Sequence, residues 1–165
     1  MGKAPRTWQG ITYRSCQAGA PEVRRLFDFA GAPAPAPGPG ELAWEAQADG
    51  RLVGGVLVER RGDFGFIHGP VVVEPPSEGG PMEVAAHLVA ALLDEATGLK
   101  MTTLFTRPQG LDRVWVRSGF VPVPEAFLPD GLKGRAGTGL HAWRRPGSYT
   151  IAAPDAEGRG PRRRG

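Results

Sequence analysis

The chain has 165 residues, 20 of them basic and 17 acidic, for a formal net charge of +3. That length fits one domain with a single core. Arg159, Arg162, Arg163 and Arg164 lie within the last seven positions; without them 16 basic residues face 17 acidic ones, so the basic excess belongs to a tail and does not argue for a nucleic-acid-binding fold.

The lone Cys16 excludes an intramolecular disulfide and a cysteine-based metal site. No run approaches the roughly 18 apolar residues of a membrane span, and the opening MGKAPRTWQG has no apolar signal core. The expectation is a cytoplasmic protein without a membrane partner or a metal.

Residues 1–10 are expected as a flexible end. Residues 11–17 (ITYRSCQ) alternate as a strand does, and residues 20–30 (APEVRRLFDFA) predict a short helix with Val23, Leu26, Phe27 and Phe29 on one side. Residues 31–40 (GAPAPAPGPG) exclude helix and central strand and predict a stiff extended spacer. Residues 42–48 and 51–60 predict two strands joined by an Asp49-Gly50 hairpin turn. Arg61-Gly62-Asp63 then turns the chain into residues 64–74 (FGFIHGPVVVE), apolar enough for a central strand. Gly65, Gly69 and Pro70 interrupt it in the manner of a bulge or a close backbone approach.

A loop is predicted over 75–81 (PPSEGGP). The next helix spans 82–97, with Ala85, Leu88, Val89, Leu92, Leu93 and Ala96 at helical spacing and a stop at Gly98. Residues 101–106 (MTTLFT) predict a strand. Residues 111–118 predict a helix closed by Gly119, after which Phe120 turns back to the core. Residues 121–127 and 140–144 predict the last strands, and residues 148–165 a disordered basic tail. Helices interspersed with these strands predict an α+β fold over 11–147: a mostly antiparallel twisted sheet in a single domain, flanked by helices on both faces.

Three segments in this order carry a resemblance. Val71-Val72-Val73-Glu74-Pro75 is an apolar strand with a "V-x-P" ending, residues 77–97 follow as loop and long helix, and residues 111–120 form a late helix ending in Gly-Phe. In that arrangement the chain resembles the GNAT superfamily of acetyl-CoA-dependent N-acetyltransferases. The resemblance implies acetyl-CoA as co-substrate, its pantetheine arm lying in a gap between the strands at 64–74 and 101–106. The backbone of Val71, Val72 and Val73 would hold that arm as an added strand. Ser77, Glu78, Gly79 and Gly80, with Met82, would form the pyrophosphate site at a helix N-terminus, where the macrodipole favours negative charge. The implied acceptor is the amine of a small molecule or an amino-acid-like compound, and a homodimer is compatible with such a chain.

The sequence departs from the family pattern at three places. Glu78 stands where the family carries Arg or Gln, and Pro81 removes a backbone donor. Trp115 stands where many members have a Tyr that protonates the leaving thiolate, and its ring predicts packing. A base matters more, because an alkylammonium of pKa near 10.4 must lose a proton before it attacks, which costs about 4–5 kcal/mol at pH 7. Glu45, Glu59, His68 and Glu74 are the candidates, and the resemblance favours His68 and Glu74 as catalytic groups. His87 and His141 receive no role, and three separated histidines supply no metal-ligand spacing.

The expected function is acetyl transfer by direct attack. Glu78 and Pro81 favour a rival, a non-catalytic GNAT-like domain whose degenerate CoA site leaves a binding or interaction module. A third reading, nucleic-acid contact through the tail, lacks the interleaved aromatics such contacts use.

Overall fold

A computed structural model describes residues 4–16, 19–73, 80–108, 110–130, 132–133 and 139–146. Glu74, Ser77, Glu78, Gly79 and the basic tail, all singled out above, lie outside the described residues.

Among the described residues the sheet has eight strands in the order β1-β2-β3-β4-β5-β6-β8-β7. These are β1 (Arg6–Trp8), β2 (Ile11–Ser15), β3 (Leu42–Ala48), β4 (Arg51–Arg61), β5 (Phe64–Val72), β6 (Thr103–Thr106), β7 (Val121–Pro122) and β8 (His141–Arg144). Of these strands β5 and β6 pair in parallel, and each other neighbouring pair described is antiparallel. Three α-helices complete the element order: α1 (Pro21–Ala30), α2 (Gly80–Gly98) and α3 (Asp112–Arg117). The α+β expectation of a mostly antiparallel sheet with helices on both faces describes this architecture.

Strand alternation divides the core in two. Trp44, Val56, Val58, Ile67 and Leu104 face α2, and α3 adds Val114 and Trp115 to the same cluster. On the opposite face Ala43 and Leu57 meet Val23 and Phe27 of α1. Further along that second face, Phe66, Phe105 and Ala142 are covered by Leu128, Leu132 and Leu140 from the loop between β7 and β8. The second face is therefore roofed by a helix at one end and a loop at the other, with a seam between them.

The structure differs from expectation at several ends. The first ten residues include β1, which pairs with β2 across a Gln9-Gly10 turn in which both residues take positive φ (51° and 80°). Phe29, placed on the apolar side of α1, is 82% exposed. Helix α2 starts two residues early and runs through Gly98; the left-handed residue that ends it is Lys100 (φ 62°), where the Met101 N–H donates back to Ala96 O at 3.0 Å. The strand predicted over 121–127 shrinks to Val121–Pro122 and a 3-10 turn at Glu125–Phe127. Pro122 and Pro124 lack the N–H groups a longer ladder needs.

Candidate active site

The site grows from the end of β5. Strand β6 pairs with β5 only over Phe64–Ile67, opposite Thr103–Thr106, and then the chain leaves through Arg107 and Pro108 toward α3. On its other side β5 stays paired with β4, but with one residue too many: Leu57 lies opposite His68 and Gly55 opposite Val71, so Gly69 and Pro70 together face Val56. This is a β-bulge, as the Gly and Pro in the strand suggested. Beyond it the Val73 N–H donates to Val53 O at 2.8 Å, which turns the N–H and C=O of Val72 toward the edge that β6 has vacated. An extended, amide-bearing arm can add to such an edge as a strand does.

Gly69 is required where it stands. Its φ is +91°, and a Cβ there would meet Phe27 Cζ at 2.9 Å and Val71 N at 3.0 Å. Gly55, directly across the bulge, lets α1 approach, since a Cβ there would lie 2.7 Å from Val23 Cγ1.

His68 projects from the start of the bulge on the α1 face, close to the seam between the two roofs. Its Nε2 lies 3.2 Å from Glu59 Oε1, and the two side chains are 16% and 20% exposed. Arg61 donates to the other oxygen of Glu59 at 2.8 Å. With Glu59 as the carboxylate acceptor, this contact assigns the proton of a neutral His68 imidazole to Nε2. The ring of Phe66 meets His68 edge-on at 5.0 Å between centroids, and the Arg107 guanidinium stands 5.9 Å from the centre of the Phe66 ring. Ala32, Pro33, Pro70 and Val71 close a cleft of about 80 Å³ around these groups.

The Pro-rich connector, predicted as a spacer, thus also supplies part of a wall. Arg24 of α1 fixes it, donating to both Glu41 oxygens at 2.8 and 2.9 Å and to Pro35 O at 3.1 Å. The Glu41 hydrogen bonds raise the Arg24 pKa further above its usual value, so the clamp is always charged.

The other expected residues fall as follows. Val71 packs toward α1 and Val72 toward α2. Gly80 opens α2 with φ 73°, and Met82, 37% exposed, lies in its first turn beside Pro81. Glu45 is not brought to His68. It is 8% exposed, holds Arg14 at 3.0 Å and Gln47 at 2.6 Å, and receives the Cys16 thiol at 3.6 Å. The hollow beside it, about 400 Å³, flanks the first turn of α1 and is larger than the cleft, yet it does not touch the opened edge of β5. Trp115 is fully buried, stacks edge-on against Phe120 at 4.9 Å, and spends its indole N–H on Pro108 O at 3.0 Å. Sequence reasoning missed Phe66 and Arg107 and did not pair Glu59 with His68.

Among the described residues no group of three or more His, Cys, Asp or Glu side chains could hold a metal ion. Among the described residues no helix is long and apolar enough to cross a membrane.

A mixed sheet opened beside a bulged strand, with a long helix following it, is the fold of the GNAT superfamily of acyl-CoA N-acyltransferases. Solved structures bear this out. N-acetylglutamate synthase from Neisseria gonorrhoeae, solved with coenzyme A and N-acetyl-glutamate, superposes with a TM-score of 0.61 at 20% identity over 81% of this chain. The chain spans only 35% of that protein's length. An acetyltransferase from Streptococcus agalactiae 2603 matches at TM-score 0.61 and 13% identity, covering 83% of this chain and 99% of its own. The ribosomal-protein-S18-alanine N-acetyltransferase of Escherichia coli matches at 0.57 and 14%, covering 81% and 93%. No protein-family profile matches the sequence, and no curated protein matches it significantly. The similarity is one of fold.

Proposed function

We propose that the chain is an N-acetyltransferase that moves an acetyl group from acetyl-CoA to the amine of a small or amino-acid-like acceptor by direct attack. The observation that carries this reading is the juxtaposition at one bulge of an unpaired strand edge and a carboxylate-backed imidazole, His68–Glu59. The described residues fit the co-substrate: Val72 offers backbone groups to a strand-like arm, and the first turn of α2 lies at the same end of the sheet. Acetyl-CoA, when bound, supplies an acyl thioester whose thiol, of pKa about 8.5, leaves near neutral pH without a protein acid.

The chain's own residues have two tasks. The Val72 N–H and C=O, turned away from β4 by the Val73–Val53 bond, orient the arm, and that N–H polarises its carbonyl; Pro70 has no N–H to add. His68 Nδ1 takes the proton from the acceptor ammonium, while Glu59 fixes the tautomer and gives the resulting imidazolium an ion-pair partner. Glu74 is the second candidate base, and Ser77, Glu78, Gly79, Gly80 and Met82 are the candidate pyrophosphate contacts. Trp115, with its N–H already committed, donates nothing to the reaction.

Pro81 in the first turn of α2 favours the rival, a binding module without catalysis, because it withholds one N–H from an anion there. Calorimetric titration of the full chain with acetyl-CoA decides. Micromolar or tighter binding is expected; no heat at millimolar ligand would refute the transferase.

A further inference from the structure

The cleft at the bulge has one wall that is not sheet. Strand β5 and the residue that follows β6 form the rest of it, and Ala32 and Pro33 of the Pro-rich connector close the remaining side, leaving about 80 Å³, room for a few heavy atoms. That wall is built as a strap. Residues 32–38 form neither helix nor strand, and the prolines at 33, 35 and 37 remove alternate N–H donors. Ala34 and Ala36 donate to no backbone carbonyl among the described residues, so no ladder holds the segment. Ala32 and Pro35 are half-buried while Pro33, Ala34, Ala36 and Pro37 are exposed, the three-residue spacing of a polyproline helix. Such a segment is stiff, because each ring fixes φ. Left-handed glycines stand at its two ends, Gly31 at φ 72° and Gly40 at φ 71°.

We propose that Arg24 is a positioning residue: it latches this strap across the cleft, and the latched strap limits the acceptor to an amine of a few heavy atoms. This deepens the transferase reading and rests on it. At its start the strap is held by the Ala32 N–H, which donates to Phe27 O at 2.8 Å. At its middle it is held by the Arg24 guanidinium, which donates to Pro35 O at 3.1 and 3.3 Å. The same group donates to both Glu41 oxygens, beyond Gly40, and to Gly19 O ahead of α1. The Arg24 and Glu41 side chains are 18% and 7% exposed, so salt screens their attraction little. A stiff segment between two glycines moves as a unit, and loss of the anchor at Pro35 is therefore felt at Pro33, in the cleft wall. A lysine cannot substitute fully, because one ammonium lacks the planar fork that spans Pro35 O and both Glu41 oxygens.

The test has two arms, both on the full-length protein. Amide relaxation by NMR reads the strap directly at Ala34 and Ala36: wild type is expected near the rigid order parameter of about 0.85, and Arg24→Gln below about 0.6. Thiol release from acetyl-CoA reads acceptor size with two matched pairs, glycine against phenylalanine and ethylamine against phenethylamine, at equal free-amine concentration. Wild type is expected to favour the smaller member by about tenfold to a hundredfold in kcat/KM, the range for a pocket that excludes bulk. Arg24→Gln is expected to bring that ratio near one, and Arg24→Lys to an intermediate value. Should the stranded Glu41 carboxylate keep Arg24→Gln from folding, the double variant Arg24→Gln/Glu41→Gln replaces the ion pair with two neutral amides and is read the same way. Equal use of small and large amines by wild type overturns the size limit without any variant. Unchanged order parameters in a folded variant overturn the latch, and a loosened strap with the wild-type ratio overturns its link to acceptor size. Acetyl-CoA binding with no transfer to any amine overturns the size limit alone, whereas no acetyl-CoA binding by calorimetry overturns the transferase reading beneath it.

Discussion

Replacing His68 with Gln separates a base from a bystander. Glutamine retains an N–H that can reach Glu59 Oε1, now 3.2 Å from the imidazole, so the carboxylate keeps a donor and Arg61 keeps its partner. What disappears is the lone pair at Nδ1. An acceptor of pKa near 10.4 is then reactive only in its free form, about one molecule in 2,500 at pH 7. The three-unit gap equals about 4–5 kcal/mol, and a positioned base typically recovers a factor of about 10²–10⁴ of it. His68→Gln should therefore lower kcat/KM for the acceptor at pH 7 by about 10²–10⁴. The deficit should shrink by about tenfold for each unit the pH rises toward 10, while wild type stays flat over that range. Thiol release from acetyl-CoA between pH 7 and 10 reads both curves, with calorimetry to confirm that acetyl-CoA still binds. Parallel profiles at any offset would refute the base assignment, because a merely structural histidine lowers the rate without changing its dependence on pH.

Two further predictions concern the frame. Gly55→Ala puts a methyl 2.7 Å from Val23 Cγ1, and overpacking of this kind should destabilise by about 1–3 kcal/mol in urea denaturation, with Val23→Ala in the same chain restoring part of the loss. An unchanged midpoint would mean that α1 is not seated on β4 as described. Burial, reinforced by Glu45, pushes the Cys16 thiol from 9.0 up to about 12. Its folded-state pKa is above its unfolded value, so its contribution to stability is full below about 9 and is lost as the pH rises toward 12. Cys16 should react with a disulfide reagent at pH 8 far more slowly than a free thiol, and Cys16→Ala should lessen the fall in stability above pH 9. Rapid labelling of the native protein would contradict that environment.

Much of the frame was written in local pattern. Asp49-Gly50 adopts the paired positive φ values that its sequence demands, the apolar stripe of α2 is buried as spaced except for a half-buried Leu93, and Gly119 closes α3 at φ 93°. Other features were silent for physical reasons. The strand β1 has three residues, too few for a period, and Gln9-Gly10 performs a turn that Asn or Asp would have advertised. Glu95, outside the apolar stripe of α2, receives the indole N–H of buried Trp44 at 2.7 Å, a tertiary pairing that no helical wheel contains. The site follows the same division. His68 stood out as a candidate from its place in β5, but its pairing with Glu59 depends on the β4–β5 register, which puts Glu59 opposite Phe66 and leaves His68 its diagonal neighbour on the same face. Arg107 follows a four-residue strand without any motif. Only the knowledge that β6 stops there beside β5 gives it meaning.

The bulge links the two halves of the site. With a strict period of two, Phe66, His68, Pro70 and Val72 would share the α1 face of the sheet. The extra residue changes the alternation after His68, so that Val71 joins Val23, Phe27 and Leu57 while Val72 returns to the α2 core. The same change turns the Val72 backbone away from β4 and toward the vacated edge, as the bond from Val73 to Val53 requires. One irregularity therefore places an imidazole on the α1 side of the sheet and hydrogen-bonding groups on its open edge, four residues apart in the chain. It also explains the glycine at its centre. A side chain at residue 69 would drive into Phe27, displacing the end of α1 and with it Ala32 and Pro33, the connector's share of the cleft wall. The spacer, the helix and the bulged strand are in this sense one device, and a change in any of them should be felt at His68.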